Sequence, residues 1–72
     1  MVKVENEKTG EILECIGIWK TGKPRLFHAP ANSPHSAVGW YDEEPFVPRG
    51  TTVKIGDDWF DRLRLKDDWN VI

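Results

Sequence analysis

One thiol and two imidazoles in this sequence have the chemistry needed to bind zinc or to form a nucleophilic pair. Cys15 is the one cysteine, and the two histidines are His28 and His35. Their spacing matches no zinc finger, so a zinc site would need a carboxylate or a second chain to complete its ligands. Cys15 lies in an apolar run that predicts a buried thiol, whereas reactive cysteines are partly exposed beside positive charge. We therefore expect no cofactor, no bound metal and no enzymatic activity.

Aspartates are concentrated in the last third of the chain, at positions 57, 58, 61, 67 and 68. Calcium binds sets of carboxylate oxygens, but this spacing does not follow an EF-hand loop. Aspartates in turns accept hydrogen bonds from their own backbone, and we interpret most of the cluster in this way.

Four basic residues could form a stripe along one face of the last predicted hairpin: Lys54, Arg62, Arg64 and Lys66. Such a stripe beside aromatic rings would suit a small β-barrel that binds nucleic acid. Residues 53–68 also contain the five aspartates, however, and these would repel a polyanion. A solvated, salt-bridged sheet face is the favoured interpretation, and nucleic-acid binding is the alternative.

Aromatic residues are the most informative feature of the sequence. Those inside candidate strands are expected to supply the core, namely Trp19, Phe27, Trp59 and Phe60. Trp40 and Tyr41 are adjacent, so in a strand their side chains point to opposite faces and one of them approaches solvent. A proline-containing loop precedes them and Pro45–Pro48 follows, which suggests an aromatic groove for an extended peptide or a partner loop.

The predicted function is that of a non-enzymatic protein-binding module. The expected partner-binding residues are Trp40, Tyr41, Phe46, His35, Asp42, Glu43 and Glu44, the acidic three serving to steer the domain toward a basic partner. Its size suggests an adaptor, an assembly subunit, or a phage or mobile-element inhibitor. The apolar Val71 and Ile72 suggest either pairing in a homodimer or docking within the monomer.

Short strands separated by glycine turns must position these residues. Strands are predicted over 2–5, over 11–19 as a central strand with a bulge at Gly17, over 25–28, over 37–41, and over 51–55 leading into a hairpin that ends near residue 65. Residues 29–36 are predicted to form an exposed loop and Pro45–Pro48 an extended edge. For 57–64 we favour a strand with a bulge over a short helical turn capped by Asp57 or Asp58.

The fold class predicted from this rhythm is mainly β. About five to seven short antiparallel strands would form a small barrel or curled sheet, SH3-like as first choice and OB-like as second. With 72 residues the chain is expected to be one domain over 1–72 with a small core. A single cysteine, a net charge of -2 and the lack of a long apolar run predict a cytoplasmic protein that enters no membrane.

Overall fold

A computed structural model describes residues 2–31 and 45–72, and over these ranges the protein forms antiparallel strands and no helix. The strands are β1 (Val2–Asn6), β2 (Ile12–Cys15), β3 (Trp19–Lys20), β4 (Leu26–Pro30), β5 (Phe46–Ile55), β6 (Asp58–Leu65) and β7 (Trp69–Val71). Because the described residues include no helix, they include none that is long and apolar enough to cross a membrane.

The strands form two sheets rather than one closed barrel. A three-stranded sheet has the order β2-β1-β7 and a four-stranded sheet the order β3-β4-β6-β5, with every pair antiparallel. The predicted mainly β, antiparallel fold is confirmed, and residues 58–65 form a strand rather than a helical turn. A closed barrel is not what the described residues form.

The turn between β1 and β2 is made by its own polar side chains. The Asn6 side-chain oxygen accepts hydrogen bonds from the backbone amides of Lys8 (2.8 Å) and Thr9 (3.0 Å), as asparagine commonly does in turns. Gly10 then adopts a φ of 77°, which costs a residue with a side chain more than it costs glycine. This hairpin was predicted from the same residues.

The prediction of one central strand over 11–19 is wrong. Gly17 has a φ of 81°, and a turn at this point divides the run into β2 and β3. Both strands lie at sheet edges, β2 in the three-stranded sheet and β3 in the four-stranded sheet. Ile18 between them is fully buried, so the apolar run links the two sheets through the core instead of forming the centre of one.

The β5–β6 hairpin contains a bulge-like irregularity. It lies on β5, whereas the sequence predicted a bulge near Trp59 on β6. Pro48 pairs with Leu63 and Thr52 with Asp61, so β5 has two more residues than β6 over this stretch. Gly50, inside the extra segment, has a φ of 71°. Such bulges bend a strand and increase its twist. As predicted from its prolines, the segment beginning at Phe46 lies on an edge strand.

One apolar cluster joins the inner faces of the two sheets. Its members are Val2, Val4, Cys15, Ile18, Phe27, Ala29, Phe46, Leu63, Leu65 and Trp69, with Leu13 packed against it. The rings of Phe27 and Phe46 meet edge to face at a centroid distance of 5.0 Å, an arrangement favoured by the ring quadrupoles.

The segment between β6 and β7 is held by Arg25. The Arg25 guanidinium donates to the carbonyl oxygens of Leu65 (3.1 Å) and Lys66, and the Leu65 amide donates to the Arg25 carbonyl. The chain then enters β7, where Trp69 is buried and Asn70 pairs with Glu5 of β1. The backbone of Val71 and Ile72 is therefore paired with β1 of the same chain, while both side chains are exposed.

Three of the four aromatic residues expected in the core lie elsewhere. Phe27 is buried as predicted, but Trp19 is 44% exposed, Trp59 is 55% exposed and Phe60 is half-buried. Phe46 was expected at a partner surface and instead has an exposure of 0%. Strand alternation accounts for Phe60, which faces away from the core because Leu63 and Leu65 on the same strand face it. Trp59 lies on the same side of β6 as these leucines, but at the end of the strand beside the turn from β5.

The difference between Phe46 and Trp59 can be measured as stability. Phe46→Ala should lower the free energy of unfolding by about 3–5 kcal/mol, because it removes a buried ring and leaves a cavity. Trp59→Ala should change it by less than about 1 kcal/mol, because the indole already contacts water. Urea unfolding followed by tryptophan fluorescence and circular dichroism gives both values. Equal losses in the two variants would contradict the assignment of Phe46 to the core.

Candidate outer-face site

The two sheets present very different surfaces to solvent. On the three-stranded sheet, the side turned away from the core carries mainly charged and polar residues: Lys3, Glu5, Ile12, Glu14 and Asn70. On the four-stranded sheet the corresponding side, which we call the outer face, carries seven apolar residues with one histidine and three charged residues: Trp19, Leu26, Pro30, Val47, Val53, Ile55 and Phe60, with His28, Asp58, Arg62 and Arg64. Mostly apolar surface of this kind, rimmed by polar groups, is typical of interaction sites.

Three rings form the centre of the outer face. Trp19 and Phe60 meet edge to face, with centroids 5.6 Å apart and an interplanar angle of 90°. The His28 ring lies 6.3 Å from Phe60. Strand pairing places them there, since Trp19 pairs with His28 across β3 and β4, and Phe60 pairs with Pro30 across β4 and β6. The rings are therefore fixed by three strands and not by a loop.

Two shallow grooves run beside these rings. The first, which we call the basic groove, has a volume of about 310 Å³ and is lined by Thr21, Lys23, Leu26, His28, Val53, Ile55 and Arg62. The second, the aromatic groove, has a volume of about 340 Å³ and is lined by Trp19, Pro30, Asp58, Trp59 and Phe60. Volumes at the lower end of the range for ligand sites suit a few side chains of a partner better than a large cofactor.

The predicted basic stripe is divided by the fold. Arg62 and Arg64 lie on the same side of β6, but Lys54 pairs with Trp59 and so lies on the other side of the sheet. Arg64 donates to Asp67 (2.9 Å), and Arg25 lies 3.9 Å from the same carboxylate. Lys66 follows β6 and is half-buried. Arg62 is thus the one stripe residue that lines the basic groove.

Within the described residues, Arg62 takes part in none of the three ion pairs. Arg62 also affects His28: burial, and secondarily the Arg62 guanidinium, lower the pKa of His28 below its ordinary value. Both causes disfavour the charged imidazolium. At neutral pH, His28 therefore offers the groove a neutral ring, and Arg62 together with Lys23 supplies its positive charge.

Most of the predicted partner-binding residues fall outside the described part of the chain. These are His35, Trp40, Tyr41, Asp42, Glu43 and Glu44. Of the predicted set only Phe46 is described, and it lies in the core.

No protein-family model, curated protein or solved structure matches this chain.

Cys15 and two aspartates of the cluster in the last third of the chain lie away from the two grooves. Cys15 is buried in the core with 1% exposure. Over residues 2–31 and 45–72 the structure brings together no group of three histidine, cysteine or acidic side chains able to hold a metal ion. Asp61 accepts a hydrogen bond from the Thr52 hydroxyl (3.2 Å), and Asp68 pairs with Lys8 (3.4 Å).

The sequence of β6 contains a signal for the outer face. In β6 the residues Phe60, Arg62 and Arg64 alternate with Asp61, Leu63 and Leu65. Once the leucines are assigned to the core, Phe60 must lie beside the arginines on the opposite side. The sequence could not show that Trp19 joins Phe60, because that contact depends on the pairing of β3 with β4 and of β4 with β6.

The lowered pKa of His28 predicts how stability depends on pH. In the unfolded chain the imidazole takes up its proton near its ordinary pKa of about 6.5, while the folded protein takes it up only at lower pH. The contribution of His28 to stability is therefore complete above the ordinary pKa of histidine, and it is lost as the pH falls through the lower pKa that His28 has in the folded protein. In His28→Gln, the fall in melting temperature between about pH 7.5 and about pH 5 should therefore be smaller than in the wild type.

Arg62→Gln removes the positive charge beside His28 but leaves the imidazole buried. In this variant the fall in melting temperature between the two pH values should therefore decrease only in part. Differential scanning calorimetry in matched buffers measures all three proteins. Identical slopes in the wild type and His28→Gln would contradict the assignment.

Proposed function

We propose that this protein is a non-enzymatic protein-binding module that recognises its partner through the outer face of the four-stranded sheet. The single observation that carries this proposal is the pair formed by Trp19 and Phe60 on the solvent side of the sheet. A sheet that needed the indole for its own stability would bury it, as Trp69 is buried in the core. The outer face instead displays aromatic surface on a rigid support.

The energetics of interfaces favour this assignment. Binding energy is concentrated in a few residues, among which tryptophan, tyrosine and arginine are enriched. Trp19 and Arg62 are both on the outer face, next to grooves that would receive partner side chains. The rings are already ordered by strand pairing, so little conformational entropy is lost when a partner docks on them.

In keeping with its size, the module would act as an adaptor, an assembly subunit or an inhibitor, including one encoded by a phage or mobile element, within the cytoplasm. We propose an SH3-like relationship for its fold, because SH3 domains are also small modules that bind peptides in grooves lined by aromatic residues. Nucleic-acid binding receives less support, since Arg64 is paired with Asp67 and Lys54 lies on the other side of the sheet.

The proposal predicts that partner capture depends on Trp19. Tagged wild-type protein and Trp19→Ala, expressed in the cells that produce it, should be compared by affinity purification and quantitative mass spectrometry. We expect at least one protein to be enriched about tenfold or more by the wild type and lost in Trp19→Ala, as for a hot-spot residue worth more than about 1 kcal/mol.

Ile12→Ala is the matched control, because Ile12 is an exposed apolar residue on the charged side of the other sheet. Trp40→Ala tests the region first predicted from the sequence. A partner retained by Trp19→Ala but lost in Trp40→Ala would place the site outside the outer face and overturn the proposal.

A further inference from the structure

We infer that the basic groove receives an extended acidic segment of a partner protein, with an aliphatic side chain held between β4 and β5 and a carboxylate on Arg62. This inference rests on the proposed function and names the chemistry of the partner. It follows from the walls of the groove, from its charge and from the surface that adjoins it.

The walls of the basic groove are aliphatic. Leu26 of β4 lines one part of it, and Val53 and Ile55 of β5 line another. Ile55 is 48% exposed, so apolar surface at this wall is in contact with water. A Val, Leu or Ile side chain of a partner would remove part of this surface from water, which is the main favourable contribution to association.

The charge of the groove is positive. Lys23 and Arg62 are among the described residues that line it, and none of those residues is acidic. Arg62 is partly buried and lies outside the ion pairs that engage Arg25 and Arg64. A guanidinium in partly apolar surroundings binds a carboxylate through paired charge-assisted hydrogen bonds. The groove therefore matches a partner segment in which an acidic residue lies next to an aliphatic one: the basic side chains would bind the acid and the apolar wall the aliphatic side chain.

A protein segment fits this surface better than a nucleic acid strand does. A polyanion gains affinity by neutralising several phosphates along a continuous basic path. The adjoining aromatic groove is lined by Asp58, and Asp57 precedes it in the turn between β5 and β6. A strand long enough to stack on Trp19 and Phe60 would bring phosphates toward these carboxylates, whereas a peptide needs only one or two negative charges, at the basic groove.

Binding of defined peptides tests the inference. The probe is a fluorescein-labelled peptide, Gly-Ser-Leu-Glu-Val-Glu-Ser-Gly, compared with an analogue in which both glutamates are glutamines, and with labelled oligothymidylate. Fluorescence anisotropy at low ionic strength should show the acidic peptide binding about tenfold or more tightly than its glutamine analogue, as expected for one charge-assisted pair. Arg62→Gln should abolish this preference, and Lys23→Gln should reduce it.

Lys54→Gln is the matched control, because it removes the same charge from the opposite side of the sheet. Methyl NMR spectra locate the bound peptide: signals of Leu26, Val53 and Ile55 should shift, while that of Ile12 on the other sheet should not. The same spectra show whether each variant is folded. If Arg62→Gln is unfolded, Lys23→Gln replaces it in the binding test.

Three outcomes would overturn the inference. These are equal affinity for the acidic peptide and its glutamine analogue, no binding of either peptide, and tighter binding of oligothymidylate that depends on Arg62. Each leaves the Trp19-dependent capture of a partner unaffected, so a wrong partner chemistry is distinguishable from a wrong binding face.

Discussion

The edge-to-face contact of Phe27 and Phe46 lies within a core that has little room for other rings. A chain of 72 residues buries a modest fraction of its surface. Of residues 2–31 and 45–72, two phenylalanines, one tryptophan and a set of smaller side chains share the space between the two sheets. Close packing sets a limit on how many large side chains such a space accepts. The other described aromatic residues, Trp19, Trp59 and Phe60, lie outside it.

That limit connects the core to the surface. β4 and β6 each supply the core from one side and the outer face from the other, so Phe27 and Leu63 fix the positions of His28 and Arg62 beside them. Because β4 and β6 are anchored by buried residues, the backbone that carries His28 and Phe60 is fixed by the core. The contrast with the charged outer side of the three-stranded sheet shows that the apolar surface belongs to one sheet and is not a general consequence of small size.

The sequence predicted local structure well and long-range structure less well. Turn chemistry at Asn6 and Gly10 and alternation in β5 and β6 gave the hairpins, because both are encoded by neighbouring residues. The division of residues 11–19 into two edge strands was missed, since Gly17 is equally compatible with a bulge or a turn until the two sheets are assembled. Residue type alone predicted that Trp19 is in the core and Phe46 on the surface, and the structure shows the reverse. Burial depends on which side of its strand a residue lies and on how near it is to the core.

The irregularity in β5 adds an even number of residues, two, relative to β6. This number has a consequence for the insertions and deletions that the strand tolerates. An insertion of two residues restores the alternation of side chains after the bend, so Phe46 and Pro48 before it and Thr52 after it stay on one side of the sheet. Lengthening or shortening this segment by two would alter the curvature of the strand, and hence the width of the basic groove, while leaving the inward-facing set intact. Insertions and deletions of two residues at Gly50 would thus change the surface proposed to bind a partner without a compensating change in the interior.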